Sequence, residues 1–454
     1  MKTLMAIWFS AISAISSTAT DASVENTIGQ DAPEVTASWK IGRVPSGFPV
    51  RFSLLTRGHR QFVAFYDAQH RMTVASRTLD SDEWKYKVLP SIVPWDSHNY
   101  VTMAADDGGY LHLSGNMHCV PLIYFRTDRP WDITTFRKVD AMVGRDEGRC
   151  TYPKFMRGPQ GELIFHYRDG ASGRGNEIFN AYDVPSRTWR RLIDQPLIDG
   201  KGEMNAYLSG PNLGPDGWFH LAWIWRDTPD CETNHTPSYA RSRDLLAWET
   251  IDGQRIELPI TYETPGTVID PVPPFAGILN GSLHIGFDSS DQPLASYHKF
   301  DEEGNTQVYV ARFEEGAWVS RQVSQWAYRW DFRGRGSIPF EIILRSFRPH
   351  SQGRLALPYD HIQYGQGLLV IDEQTLEFIG TEPQPVRYPP ALSEPQSDID
   401  GMAVRWAEDD GGSNEPGVRY VLRWETLPVH RDRQREGDPP EPSPLVLYKL
   451  STQP

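Results

Sequence analysis

The sequence predicts an all-β fold, a seven-bladed β-propeller of four-stranded antiparallel blades. Three observations predict it. A polar turn ending in Gly, followed by an alternating apolar strand, recurs at Gly58, Gly109, Gly161, Gly217, Gly281, Gly353 and Gly401, at spacings of 51, 52, 56, 64, 72 and 48 residues. Most copies lead into a second unit, a strand, a polar turn and an aromatic strand, as in "VASRTLDSDEWKYKVL" and "FNAYDVPSRTWRRL". Almost no stretch carries the 3.6-residue period of a long helix, while alternation with a period of two is common. Each repeat thus supplies about four short strands, and radial repetition of four-stranded sheets gives a propeller. A β-helix repeats over far shorter lengths, and stacked sandwiches would not give seven similar units.

Taken in chain order, residues 1–19 read as a signal peptide. Lys2 supplies a positive start, Leu4 to Ile15 is mostly apolar but too short to span a bilayer, and Ser17-Thr18-Ala19 offers small residues for cleavage. This predicts a secreted or periplasmic protein. Residues 20–454 are expected to form one propeller domain. "RGHRQFVAFY" opens the repeats and is the least regular copy. "DDGGYLHLSG", "GPQGELIFHY", "GPDGWFHLAW", "LNGSLHIGF", "SQGRLALPY" and "IDGMAVRWA" follow. "LPVHRDRQREGDPPEPSP" is polar and Pro-rich and reads as a mobile loop. The terminal "PLVLYKLS" is expected to pair with "SWKIGRV" near the start and shut the ring.

Composition narrows the function. The formal net charge of −14 argues against a nucleic-acid partner, and it requires any acidic ligand to be drawn by a local basic cluster. No later segment is long and apolar enough to cross a membrane. Three cysteines make no disulfide framework, so a large core must hold the fold, and the chain is expected to be a monomer. Fifteen Trp and 19 Tyr suit sheet packing where buried and sugar faces where exposed.

In a propeller, residues flanking each inner hairpin meet at one mouth of the channel. His98 precedes the hairpin that turns at Gly108-Gly109, and His118 follows it. Tyr152 and Arg168 flank the next hairpin, sixteen residues apart. The four are therefore expected to converge, while His112, inside a strand, reads as structural. Asn99 and Asn116 beside the histidines either fix imidazole tautomers or contact substrate. Glycoside hydrolysis usually needs two carboxyl groups. Arg, Tyr and two His suit β-elimination at a uronic acid: Arg neutralises the sugar carboxylate through a bidentate fork, and His or Tyr moves the protons.

The stretches "SHNY…DGGYLHLSGNMHCVPLIYFRT", "TYPKF…FHYRDG" and "WRDTPDCETNHTPSYARSRDLLAWE" together resemble the seven-bladed propeller polysaccharide lyases, of ulvan lyase type and BNR-repeat-like. Related members cleave rhamnosyl-glucuronate linkages. The resemblance is clear over residues 90 to 250 and rests on the repeat pattern elsewhere. It implies cleavage of an acidic, sulfated polysaccharide by β-elimination, with His98, His118, Tyr152 and Arg168 as the catalytic set. It also implies Asn234, His235, Tyr239 and Arg241 in a substrate funnel, although His235 reads equally well as a packing residue. The stretch between His98 and Tyr152 is short for the family, which suggests a trimmed loop. The chemistry requires no cofactor. Some relatives hold a structural metal, and Cys231 and His235 have a spacing that fits two ligands without completing a set. Cys119 and Cys150 read as small packing residues or as a disulfide pair.

Further along, "WAYRWDFRGRGS" sets Arg329, Arg333 and Arg335 among Trp326, Tyr328, Trp330 and Phe332. It reads either as an anion- and sugar-binding surface or as a solvated loop. Two other classes stay in view, a sialidase-like hydrolase, for which no three-arginine grip or Tyr-Glu pair can be assigned, and a non-catalytic sugar-binding propeller.

Overall fold

The computed structural model describes residues 32–452 apart from 352 and 414. The expected signal peptide lies outside the described residues. Strands dominate, and the helical elements among the described residues are two three-residue 3-10 turns and the four-residue helix Pro390–Ser393.

Seven antiparallel sheets follow one another along the chain. The first is Ser53–Arg57, Arg60–Tyr66, Arg71–Thr78 and Lys85–Ile92, each strand pairing with the next. The second runs from Val101–Ala105 through Leu111–Gly115 and Tyr124–Thr127 to Phe136–Lys138. The third, led by Cys150–Arg157 and Leu163–Ala171, also takes in the short strand His118–Val120 from the second repeat. The fourth is led by Asn205–Leu213 and Phe219–Arg226, the fifth by His284–Phe287 and the sixth by Ile342–Leu344. The seventh combines Ala403–Glu408, Val418–Thr426 and Ser443–Ser451 with Glu34–Val44 from the other end of the chain.

That last pairing closes the propeller. Trp39 lies opposite Leu447 and Gly42 opposite Leu445, joining "SWKIGRV" to "PLVLYKLS" as expected. The seventh sheet also meets the first through a parallel bridge between Asp409 and Leu54, and the Thr56 amide donates to Asp409 Oδ1 at 2.7 Å. Sheets stacked face to face bury both surfaces of their middle strands. Arg60–Tyr66 and Phe219–Arg226 are buried almost throughout, and each carries a continuous apolar run, Phe62 to Tyr66 and Leu221 to Trp225.

Five of the seven Gly-centred turns join the first two strands of a sheet, at Gly58, Gly109, Gly161, Gly217 and Gly353. All have positive φ, and at Gly109 a Cβ would also lie 2.4 Å from Trp131 Nε1. Gly281 and Gly401 are out of phase, because the strand after each is the first of its sheet rather than the second. There the inner hairpins turn at Asp288–Asp291 and between Glu408 and Val418 instead. Local turn chemistry is shared by both positions, so the repeat spacing alone does not distinguish them.

Candidate active site

The hairpin of the second sheet does what its spacing predicts. Val101 pairs with Gly115, and the Asn116 amide reaches back to the Asn99 carbonyl at 3.3 Å. The chain then crosses to the third sheet, where His118 pairs with Thr151. The His98 and His118 rings stack, their centroids 4.2 Å apart. Tyr152 sits in a bulge between Thr151 and Lys154, with φ of 59°. A left-handed conformation is costly for a bulky residue, and here it brings the ring to 5.7 Å from His98. Arg168 lies opposite Thr151, its guanidinium carbon 5.0 Å from the Tyr152 ring centre. The four expected residues are thus together at one mouth.

Arg168 is 1 % exposed, and its Nε and Nη1 have no hydrogen-bond partner among the described residues. The nearby buried carboxylate, Glu177, is bonded to His166 at 2.6 Å. A buried guanidinium with unspent donors is strongly unfavourable unless an anion completes it. Gly175 makes room for this side chain, since a Cβ there would lie 2.7 Å from Arg168 Cδ.

The sequence reading missed four members of the site. Asp96 bonds both imidazoles, Oδ1 to His98 Nδ1 at 2.8 Å and Oδ2 to His118 Nδ1 at 2.5 Å. Asp432 lies 3.3 Å from the same His98 nitrogen. Tyr207 and Arg226 repeat, on the fourth sheet, the Tyr–Arg pair of the third: Tyr207 is the third residue of its strand, as Tyr152 is, and Arg226 donates to the Tyr207 hydroxyl at 3.1 Å. Asp96, two residues before His98, and the Tyr–Arg repetition were both visible in the sequence. Asp432 carries no such signal.

These neighbours separate the titrations. Burial pushes Tyr152 well above the ordinary phenol range, outweighing Arg168. The phenolate expected at Tyr152 is therefore disfavoured. Tyr207 is held below the ordinary value, because Arg226 and Arg168, with a hydrogen bond to Ser172, overcome its burial. Burial lowers His98, but hydrogen bonds to Asp432 and Asp96 raise it to about 10. Asp96 falls below the carboxylate range despite its burial, through hydrogen bonds from His118 and His98.

Other expected residues fall elsewhere. The imidazoles are oriented by Asp96 rather than by Asn99 or Asn116: Asn116 donates to Ser91 and the Ile92 carbonyl, and Asn99 is buried. Asn234, His235, Tyr239 and Arg241 lie on Asn234–Ser242, the third strand of its sheet and two strands out from the channel. Asn234 bonds the Cys231 carbonyl, His235 bonds Asp227, and Tyr239 bonds His220. Arg241 pairs with Glu249 over the Trp218 ring. Asn234 pairs with Arg226 at the site end of the strand, while Tyr239 and Arg241 are held by partners within the blade. Arg329 covers the Phe300 ring, Arg333 pairs with Asp331, and Arg335 with Asp230. Trp326, Trp330 and Phe332 are buried and offer no sugar face.

Cys231 and His235 gain no third ligand among the described residues, and all three cysteines are free thiols. The one group of three ligand-type side chains close enough to share an ion, among the described residues, is Asp96, His98 and His118. Its nitrogen–oxygen separations of 2.5 and 2.8 Å are those of direct hydrogen bonds, closer than the roughly 3.3 Å that separates tetrahedral ligands about 2.0–2.2 Å from an ion.

A propeller with a buried, anion-demanding arginine, two coupled imidazoles and two phenols at one mouth defines the class. Residues 60–326 match the family described as "BNR repeat-containing family member". The chain belongs to that family. It is 29% identical over 149 residues to an ulvan lyase, short isoform, of Alteromonas sp. (strain LOR), covering 30% of this chain but only 28% of that relative. It is 20% identical over 395 residues to Ulvan Lyase-PL25 of Pseudoalteromonas sp. (strain PLSV), covering 79% of this chain and 70% of the relative. Among solved structures, polysaccharide lyase Uly1 superposes with a TM-score of 0.58 at 12% identity, over 92% of this chain and 99% of that one. A PL25 ulvan lyase bound to -[GlcA(1-4)Rha3S]- gives 0.58 at 13% identity, over 89% and 94%. These likenesses bear out the propeller expected from the repeats. No helix among the described residues is long and apolar enough to cross a membrane.

Proposed function

We propose that the protein is a polysaccharide lyase that cleaves a uronate-containing, sulfated polysaccharide of the ulvan kind by β-elimination. The observation that carries this reading is the buried Arg168, with two N–H groups unspent among the described residues. A sugar carboxylate meeting the guanidinium would take up unspent donors on one of its edges, and the neutralised carboxylate acidifies the C5 proton. His98, cationic at neutral pH, adds a second positive charge beside it.

In this reading Tyr207 is the base. Its hydroxyl bonds Ser172 and Arg226, which favour the ionised form, and once ionised it takes the C5 proton. The C5 electron pair forms the C4–C5 double bond as the bond from C4 to the glycosidic oxygen breaks. That oxygen takes its proton from Tyr152, which burial keeps protonated. One chain leaves with an unsaturated uronate end, the other with a free hydroxyl. The substrate class rests on the names of the relatives and on the chemistry of the site. An exported, monomeric enzyme fits a polymeric substrate.

The test is ultraviolet absorbance on a panel of uronate polysaccharides. New absorbance from the unsaturated product supports the proposal. Chain shortening without it points to a hydrolase, and binding without cleavage to a lectin.

A further inference from the structure

The polar loop between Val418–Thr426 and Ser443–Ser451 does not simply cap its own blade. Leu427 is anchored to the Ser46 carbonyl, and the Arg431 guanidinium donates to the Arg333 and Arg335 carbonyls at 2.7 and 3.0 Å. At its turn, Arg431 and Asp432 both have left-handed backbones, with φ of 52° and 57°. Two consecutive non-glycine residues in that region are strained, and strain persists where surrounding contacts over-determine it. Those contacts are at Asp432. Oδ2 accepts from the Ser337 amide at 2.9 Å, and Oδ1 from the Ser337 hydroxyl at 2.6 Å. The same Oδ1 lies 3.4 Å from Ser97 Oγ and 3.3 Å from His98 Nδ1.

Asp96 alone is a poor partner for His98, because it is shared. Its two oxygens serve two stacked rings, so one negative charge faces two imidazoles. The other titratable groups around His98 are His118, Tyr152 and Tyr207, and none is a carboxylate. Asp432 is the second carboxylate.

We propose that Asp432 is a positioning residue for His98: delivered by the strained loop of the seventh blade, it holds Nδ1 together with Asp96, fixes the ring, and leaves Nε2 to meet the sugar. The inference rests on the lyase reading for its kinetic consequence but not for its physical one. It links three parts of the ring distant in sequence, the segment before the second blade, the connection around Ser337 and the closing blade, through one carboxylate.

The test is Asp432→Asn, which keeps the size but removes the charge and one of the two accepting oxygens, with Asp432→Glu as the conservative variant. Imidazole nitrogen NMR of the full chain, without substrate, should show His98 titrating at least about one unit lower in Asp432→Asn, and partly restored in Asp432→Glu. On the polysaccharide that the parent cleaves, kcat should fall at least about tenfold with KM changed less than about twofold, and the alkaline limb of the pH profile should move down. If Asp432→Asn destabilises the loop, Ser337→Ala should give a smaller His98 shift in the same direction at an unchanged melting temperature. A His98 titration unchanged in all variants overturns the proposal. If no uronate polymer is turned over, the lyase reading fails, while the NMR measurement still decides the role of Asp432.

Discussion

At the residue scale, chemistry at the mouth depends on groups whose environments drive them apart. Arg168→Lys keeps the charge but loses the fork, so activity on a uronate polymer should fall by about two orders of magnitude or more while the fold is retained. Tyr152→Phe removes the acid and should cut kcat at least about a hundredfold, the scale for losing a general acid or base, with little change in melting temperature, while His98→Ala and His118→Ala, which break the stacked pair beside Tyr152, should also lower kcat. Melting curves run beside turnover separate a lost catalyst from a lost fold. Because Tyr207 is lowered and His98 raised, the rate should rise as Tyr207 loses its proton and fall as His98 loses its own near pH 10. Replacing Arg226 with Gln removes a cation that bonds Tyr207 and holds it down, so the acid limb should move to higher pH. The same shift bears on stability. His98 has a folded value of about 10 against an ordinary 6.5, so its contribution is complete below about 6.5 and is lost as pH rises through about 10. The melting temperature of the parent should therefore drop over that window more than that of His98→Gln.

At the element scale, two close fits are decisive. Gly175 lies on the strand Arg174–Asp183, paired with Leu163–Ala171, and a methyl group there would meet the Arg168 stem at 2.7 and 2.9 Å. Gly175→Ala should displace the guanidinium and abolish most activity, and a crystal structure of the variant would show Arg168 moved. The closing strand is the second. Leu445 and Leu447 are fully buried on Ser443–Ser451, which is held between Glu34–Val44 and Val418–Thr426. Leu447→Ala should cost about 2–5 kcal/mol, measured by denaturant unfolding. Much of this was legible. Seven Gly turns, the strand pairs after them and the closing partners could be read because turn chemistry and alternation are local properties. The phase of Gly281 and Gly401 could not, because the same turn serves either side of a first strand.

At the scale of the whole molecule, charge decides how a polyanion is met. The chain carries a formal net charge of −14, and Arg333 and Arg335, both well exposed, are paired with Asp331 and Asp230. Their field is largely cancelled, so Arg333→Ala should change KM for a polymer by less than about twofold. The net repulsion between enzyme and polyanion then dominates at long range, and it is screened within about 10 Å at 0.1 M salt. KM for the polymer should fall as ionic strength rises from a low value. A rise would instead favour arginines acting as a basic funnel. The buried Arg168 is shielded from this screening, so kcat should change little.

The sequence by itself determined the all-β class, the repeat, the ring closure and four residues of the site. Each follows from period-two patterning or from which residues flank a short hairpin, and a hairpin of fixed register brings its own ends together wherever it lies. Tertiary structure alone decided that Asp432 reaches the mouth from the closing blade, and which phenol is held low. Asp432 lies 334 positions after His98 in the chain and meets it only because the ring closes and a strained turn crosses between blades. Asn234, His235, Tyr239 and Arg241 were placed in the funnel on resemblance, yet they sit two strands out, since strand order within a blade sets the distance from the channel and composition does not encode it. Tyr152 and Tyr207 are chemically alike in the sequence. They titrate in opposite directions because burial and neighbouring cations, which only packing supplies, act on them unequally.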